Sequence, residues 1–283
     1  MGIFWAKRQA APPAGWLPPK MTYAIASHAR SGSNLLSSAL KETKVLGRPT
    51  EYFNRYMIEH GSFEGADGTV EKQCQLIRNS ATEPGGVCGM KLFPRQFDWA
   101  AQHVNLPEWF PNMTWVWLRR RDILGQAISW EFASQSQAWT HIEKANQQPV
   151  YDFNEISRRL VIVSVSDARW NHYFAARCIT PMEVWFEDLP HGGLEQVIGH
   201  LAQKANVVPA KDWKARNKME RQSDPAKDEW RERFLADCKS DLHPLMQPKL
   251  SPSFKLLSRW LRSKLTVEDF MNPAQAKSIT TQG

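Results

Sequence analysis

Residues 21–40, MTYAIASHARSGSNLLSSAL, change hydrophobic period in mid-run, and that change limits what the chain can fold into more than any other feature. Residues 21–26 form a short apolar run of strand length, whereas Leu35, Leu36, Ala39 and Leu40 recur at helical spacing. Strand, loop and helix therefore follow one another directly. Within the loop, Gly32 reaches backbone angles closed to other residues, with Ser31 and Ser33 on either side. Such a junction leaves the first N–H groups of the helix pointing outward at the positive end of its dipole, which makes an anion site. Arg30 adds a fixed charge and a fork of donors suited to phosphate or sulfate. On this stretch alone the plainer reading stays open, that small residues make the turn and cap the helix. A phosphate-loop NTPase wants GK[ST] after its second glycine. Here Ser33 and Asn34 follow Gly32, so the lysine is missing from its place.

The device recurs. Residues 113–118, MTWVWL, form a second buried-strand candidate that discharges into Arg119, Arg120, Arg121 and Asp122. ILGQAISWEFA then returns to helical spacing, with Asp122 as a natural N-cap and Gln126 and Ser129 on a polar face. An isolated basic triplet is usually a solvated surface. At the carboxyl end of an apolar strand it is better explained as a site, because open α/β sheets bind ligands there. The expected fold is α/β, a central parallel β-sheet flanked by helices, with a phosphate-binding strand–loop–helix. Two such sites in one sheet suit a ligand carrying two separated phosphates.

Length and composition set the remaining bounds. A chain of 283 residues buries a full core without staples, which predicts one large domain, or one domain with a tail. Cys74, Cys88, Cys178 and Cys238 lie far apart, with no C-x-x-C pair, and the histidines form no ligand cluster. That pattern argues against zinc or a disulfide framework and suits a reducing cytoplasm. Residues 1–20 carry prolines and lack the apolar core of a signal peptide, so an irregular lead-in is expected; no run reaches the length of a membrane span. A net charge of +7 makes an anionic partner plausible without choosing among nucleic acid, nucleotide and lipid headgroup.

AIASHARSGSNLL followed by LRRRDILGQAISW resembles the sulfotransferases that use 3′-phosphoadenosine 5′-phosphosulfate (PAPS), and specifically the bacterial trehalose 2-sulfotransferase family. That donor has a phosphosulfate at one end and a 3′-phosphate at the other. The family's S-Q-R-S-G-S-T-L-L loop maps, from its Gln onward, onto residues 29–36, with Ala29 replacing Gln and Asn34 replacing Thr. GRPTEYF at 47–53 is similar to G-x-P-x-E-F-F, GMKLF at 89–93 to G-x-K-L, and MERQSDPAKDEWRERF at 219–234 to L-E-R-Q-A-D followed by D-E-W. The likeness spans roughly residues 21–240 in one order. Each motif alone is weak; their shared order is specific.

The resemblance implies a P-loop-like sulfotransferase fold and a role for each matched residue. Arg30, Ser31, Gly32, Ser33 and Asn34 would bind the 5′-phosphosulfate, and Arg120 and Ser129 the 3′-phosphate, although Arg119 or Arg121 could supply that guanidinium. Glu51 would be the catalytic base. Lys91 would neutralise the transferring group or orient the acceptor or, on the plain reading, end a strand over a tryptophan. Arg221 would sit in a loop closing over the nucleotide. Glu187 and Asp188, at the end of the strand candidate MEVWFEDLP, read as helix-start or structural residues. The implied acceptor is a carbohydrate or glycolipid hydroxyl, with no metal and no nucleic acid; Gln135, Ser136, Gln137, Trp139 and His141 could line its pocket. Two other readings remain. A nucleotide kinase or NTPase predicts magnesium dependence, and a nucleic-acid binder predicts a steep salt dependence. After Cys238 the chain changes character: SFKLLSRWLRSKL reads as a basic amphipathic helix within an extension at 241–283, able to dock on its own domain, on a second subunit or on a membrane surface.

Overall fold

The computed structural model describes residues 9–59, 65, 69–139, 148–210 and 225–240. In chain order the elements are β1 (Met21–Ala26), α1 (Ser33–Glu42), α2 (Arg55–Glu59), α3 (Val70–Ala81), β2 (Val87–Leu92), α4 (Pro94–His103), α5 (Leu106–Trp109) and β3 (Thr114–Arg119). These are followed by α6 (Ile123–Ser136), α7 (Phe153–Ala176), β4 (Met182–Trp185), a 3-10 helix (Phe186–His191), α8 (Gly193–Ala205) and α9 (Pro225–Ser240). The α/β class expected from the sequence is the one found. The chain divides into two compact units, one of residues 1–121 and 166–222, the other of residues 122–165 and 223–283.

The first unit holds the sheet, whose strands are all parallel in the order β2-β1-β3-β4. Strand periodicity sorts its side chains into two layers. Ala24, Ala26, Cys88, Met90, Leu92, Trp115 and Trp117 join a cluster with Ile77 of α3 and with Trp170 and Phe174 of α7. Tyr23, Ile25, Val87, Val116 and Leu118 join the opposite cluster, with Leu35, Leu36, Ala39 and Leu40 of α1 and Val197, Ile198 and Leu201 of α8. Both faces are buried, which is why these strands read as nearly continuous apolar runs.

Strand order determines where a ligand can enter. From β1 the chain crosses to β2 on one side, then returns past β1 to β3 on the other. The connections leaving β1 and β3 therefore part company at their carboxyl ends, and such a switch point leaves a crevice there. Both basic loops of the sequence, at Arg30 and at Arg119–Arg121, begin at these two neighbouring strands.

The outer edge of β2 is covered by residues 47–50. Lys91 N–H donates to the Thr50 carbonyl at 2.9 Å. Gly47 has φ +79°, and a Cβ there would lie 2.7 Å from the Gly89 amide nitrogen and 2.7 Å from the Ala81 carbonyl oxygen. Only glycine fits so close to the strand, which accounts physically for the glycine that opens GRPTEYF.

In the second unit, Ala127, Ile128, Ile156, Trp230 and Phe234 form a separate small core. Asp122 caps α6, accepting the Gly125 N–H at 2.9 Å, and also pairs with Arg231 at 2.6 Å. Gln126 of α6, expected on a polar helix face, is buried at 2% exposure. Arg221, His141 and the extension at 241–283 lie outside the described residues. Among the described residues no helix is long and apolar enough to cross a membrane.

Candidate functional site

The loop after β1 is built to present backbone rather than to cap itself. Arg30 stands in the left-handed region at φ 60°, a conformation that costs a residue with a side chain and is seldom kept without a reason. Gly32 follows at φ 86° as the N-cap of α1, and no side chain caps that helix end. A Cβ on Gly32 would lie 2.2 Å from Phe186 Cδ2, so glycine is required both by the turn and by the ring against it. Ser31 is 1% exposed, yet its Oγ has no hydrogen-bond partner among the described residues, and the same holds for buried Ser27 Oγ. Buried hydroxyls are normally paired. Two orphaned ones in a loop feeding a helix N-terminus fit an anion with acceptor oxygens.

The three arginines after β3 separate by what holds them. Arg121 is gripped through both terminal nitrogens by Asp188, at 2.7 and 2.8 Å, and that hydrogen bond holds the Asp188 carboxyl below the usual carboxylate range. Arg119 bonds Asp167 at 3.2 Å and stacks between Trp117 and Trp185, at 4.2 and 4.6 Å from the ring centroids. Arg120 instead turns toward the first loop. Its Nη1 donates to the Arg30 carbonyl at 3.3 Å, its guanidinium lies 4.9 Å over Phe186, and Glu187 stands 3.9 Å away. Phe186 thus touches Gly32 on one loop and supports Arg120 of the other. Glu187 and Asp188 lie in the first turn of the 3-10 helix, where Glu187 accepts the Arg121 N–H at 3.1 Å and Asp188 holds its guanidinium.

Lys91 is explained by register. It pairs with Ile25 and, by strand alternation, falls on the α1 side of the sheet at the carboxyl end of β2. Its ammonium, 4% exposed as a residue, donates to Asn34 Oδ1 at 2.6 Å and pairs with Glu51 Oε1 at 3.0 Å. The ring above which it lies, at 5.7 Å, belongs to Phe93 and not to a tryptophan. A lysine can only donate, so the Asn34 oxygen faces it and the amide hydrogens are left for other partners.

The structure therefore brings Asn34, Glu51 and Lys91 into direct contact, and Arg120 onto the Arg30 backbone. Ser33 is buried at the start of α1. Ser129 lies on α6, in the second unit. Sequence reasoning passed over Asn54 and Gln96, which hydrogen-bond Glu51 Oε2 at 3.2 and 2.8 Å. The only signal for either was Gln96 two residues after Pro94 at a helix start. Among the described residues no group of three or more His, Cys, Asp and Glu side chains is placed to hold a metal ion.

The profile of the Stf0 sulphotransferase family matches residues 22–237. Trehalose 2-sulfotransferase of Mycobacterium tuberculosis strain Erdman is 26% identical over 260 residues, covering 76% of this chain and 95% of the relative. Trehalose 2-sulfotransferase of Mycolicibacterium smegmatis is 25% identical over 269 residues, covering 79% and 97%.

Proposed function

The chain belongs to the Stf0 sulphotransferase family, and from that premise we propose that it transfers the sulfuryl group of PAPS to a carbohydrate or glycolipid hydroxyl, with Glu51 as general base. The observation that carries the reading is the Lys91 ammonium. It lies 2.6 Å from Asn34 in the first turn of α1 and 3.0 Å from Glu51, so one cation joins an anion-binding helix end to a carboxylate. Relatives named trehalose 2-sulfotransferase favour a trehalose-like sugar as acceptor.

The chemistry follows from these positions. The bond from sulfur to the bridging phosphate oxygen breaks, leaving its electron pair on the nucleotide, as a bond forms from the acceptor oxygen to sulfur. The acceptor's proton passes to Glu51. Negative charge then gathers on the departing phosphate while Glu51 loses its own. Lys91, between them, stays charge-balanced throughout. Arg30, the Ser31 hydroxyl and the first-turn N–H groups of α1 would stabilise the leaving phosphate, acting only where charge develops. Fixed cations can do here what magnesium does in phosphoryl transfer, because a sulfuryl group carries less charge. Arg120 would take the 3′-phosphate. Residues 21–240 form the transferase part and 241–283 an extension, and unpaired cysteines suit a cytoplasmic setting.

Calorimetric titration with 3′-phosphoadenosine 5′-phosphate, with and without EDTA, tests this reading. Binding should survive EDTA. Arg120→Ala should weaken it by about ten- to a hundredfold, as expected for a hydrogen bond to a charged group, while binding of 5′-AMP changes little. Equal losses for both nucleotides would remove Arg120 from the 3′ site. Binding that vanishes with EDTA would favour the kinase alternative.

A further inference from the structure

The proton-accepting atom of Glu51 is singled out by two amides. A carboxylate offers about two lone-pair sites on each oxygen. On Oε2 both are taken, by Gln96 Nε2 at 2.8 Å and Asn54 Nδ2 at 3.2 Å. On Oε1 one is taken, by Lys91 at 3.0 Å. Neither amide can turn over. Gln96 Oε1 accepts the Phe93 N–H at 3.1 Å, at the start of α4, and Asn54 Oδ1 accepts the Tyr56 N–H at 3.1 Å, at the start of α2. A backbone N–H on each oxygen forces each NH2 group toward Glu51. Two helix starts thus aim two donors at one carboxylate oxygen.

We propose that Gln96 and Asn54 are positioning residues that saturate Glu51 Oε2 and so reserve Oε1, the oxygen beside Lys91, for the proton of the acceptor hydroxyl. The inference rests on the reading of Glu51 as the base. Its consequence is orientational. With Oε2 occupied, the acceptor must approach the oxygen beside Lys91, the lysine that also bonds Asn34 in the first turn of α1, where the sulfuryl group would be presented. Among the described residues the charged group in contact with Glu51 is Lys91 of β2; its contacts from α4 and from the turn before α2 are neutral amides.

Gln96→Glu distinguishes this role from simple helix capping. Glutamate at the third helical position caps as well as glutamine, and its charge suits the helix N-terminus, so a capping residue would tolerate the change or gain from it. As a positioning residue it would instead set a second carboxylate against Glu51 Oε2, and two carboxylates sharing a site lift the proton affinity of the pair. The expected result is that the pair of carboxylates takes up a proton at higher pH than the parent site does, followed through glutamate side-chain carbon signals by NMR in labelled protein and assigned with Glu51→Gln. The acid limb of kcat/KM should move with it. Asn54→Asp should repeat the effect, since aspartate still accepts the Tyr56 N–H. Gln96→Leu should lower kcat by about ten- to a hundredfold with KM nearly unchanged. Parental titration and parental pH profiles in Gln96→Glu and Asn54→Asp would overturn the proposal while leaving sulfuryl transfer standing. A shifted titration in both variants of a protein whose parent transfers no sulfuryl group would keep the clamp on Glu51 and overturn both its catalytic use and the function assigned above.

Discussion

Glu51→Gln is expected to lower kcat by about 10²- to 10⁴-fold, the range that a positioned general base contributes, with nucleotide affinity nearly unchanged. The substitution keeps the shape of the side chain and removes its ability to take a proton. Its neighbourhood adds a second penalty. If the new amide oxygen faces Gln96 and Asn54, its NH2 group opposes the Lys91 ammonium; if it faces Lys91, the NH2 group opposes two amide donors. The variant is therefore expected to melt somewhat below the parent, and titration with 3′-phosphoadenosine 5′-phosphate serves as the control for a folded site. Turnover within a few-fold of the parent at saturating substrate would take the base role away from Glu51.

Removing the Arg30 guanidinium is the second large effect, and the backbone shows how to isolate it. Arg30 holds φ 60°, so alanine there would keep the conformational cost while deleting the charge. Glycine deletes the charge and relieves the cost, since it occupies the left-handed region freely. Arg30→Gly is thus expected to be as stable as the parent or more so, measured as Tm, yet to lose about 10²- to 10³-fold in kcat, as when one preorganised donor leaves an oxyanion site. Lysine should recover only part of the rate, because an ammonium lacks the planar fork that matches a phosphate or sulfate. Parental turnover in Arg30→Gly would show that the guanidinium does not meet the developing charge.

What was legible in the sequence was whatever depends on neighbours in the chain. The change from period two to helical spacing at residues 21–40 located β1 and α1, and the left-handed Gly32 and the Asp122 cap followed from local turn chemistry. What stayed hidden depends on partners far along the chain. Arg119, Arg120 and Arg121 were indistinguishable as a triplet. They separate only because Asp167 of α7 holds the first and Asp188 of the 3-10 helix holds the third. Gln96 looked like an ordinary residue of a helix start, and its reach to Glu51, 45 positions away, has no sequence period to announce it. The run at 182–190 read as one strand, but the chain leaves the sheet after Trp185 and tightens into a 3-10 turn, which brings Phe186 onto Gly32.

Two neighbouring strand ends are proposed to hold opposite ends of one nucleotide beside a carboxylate, and a crystal structure of the complex with 3′-phosphoadenosine 5′-phosphate tests that arrangement. The expected density puts the 5′-phosphate at the N-terminus of α1, hydrogen-bonded to Ser31 Oγ, and the 3′-phosphate on Arg120, with Glu51 Oε1 facing the side from which an acceptor enters. A nucleotide whose 5′-phosphate lies away from α1, or a Glu51 turned from it with Lys91 elsewhere, would contradict the account.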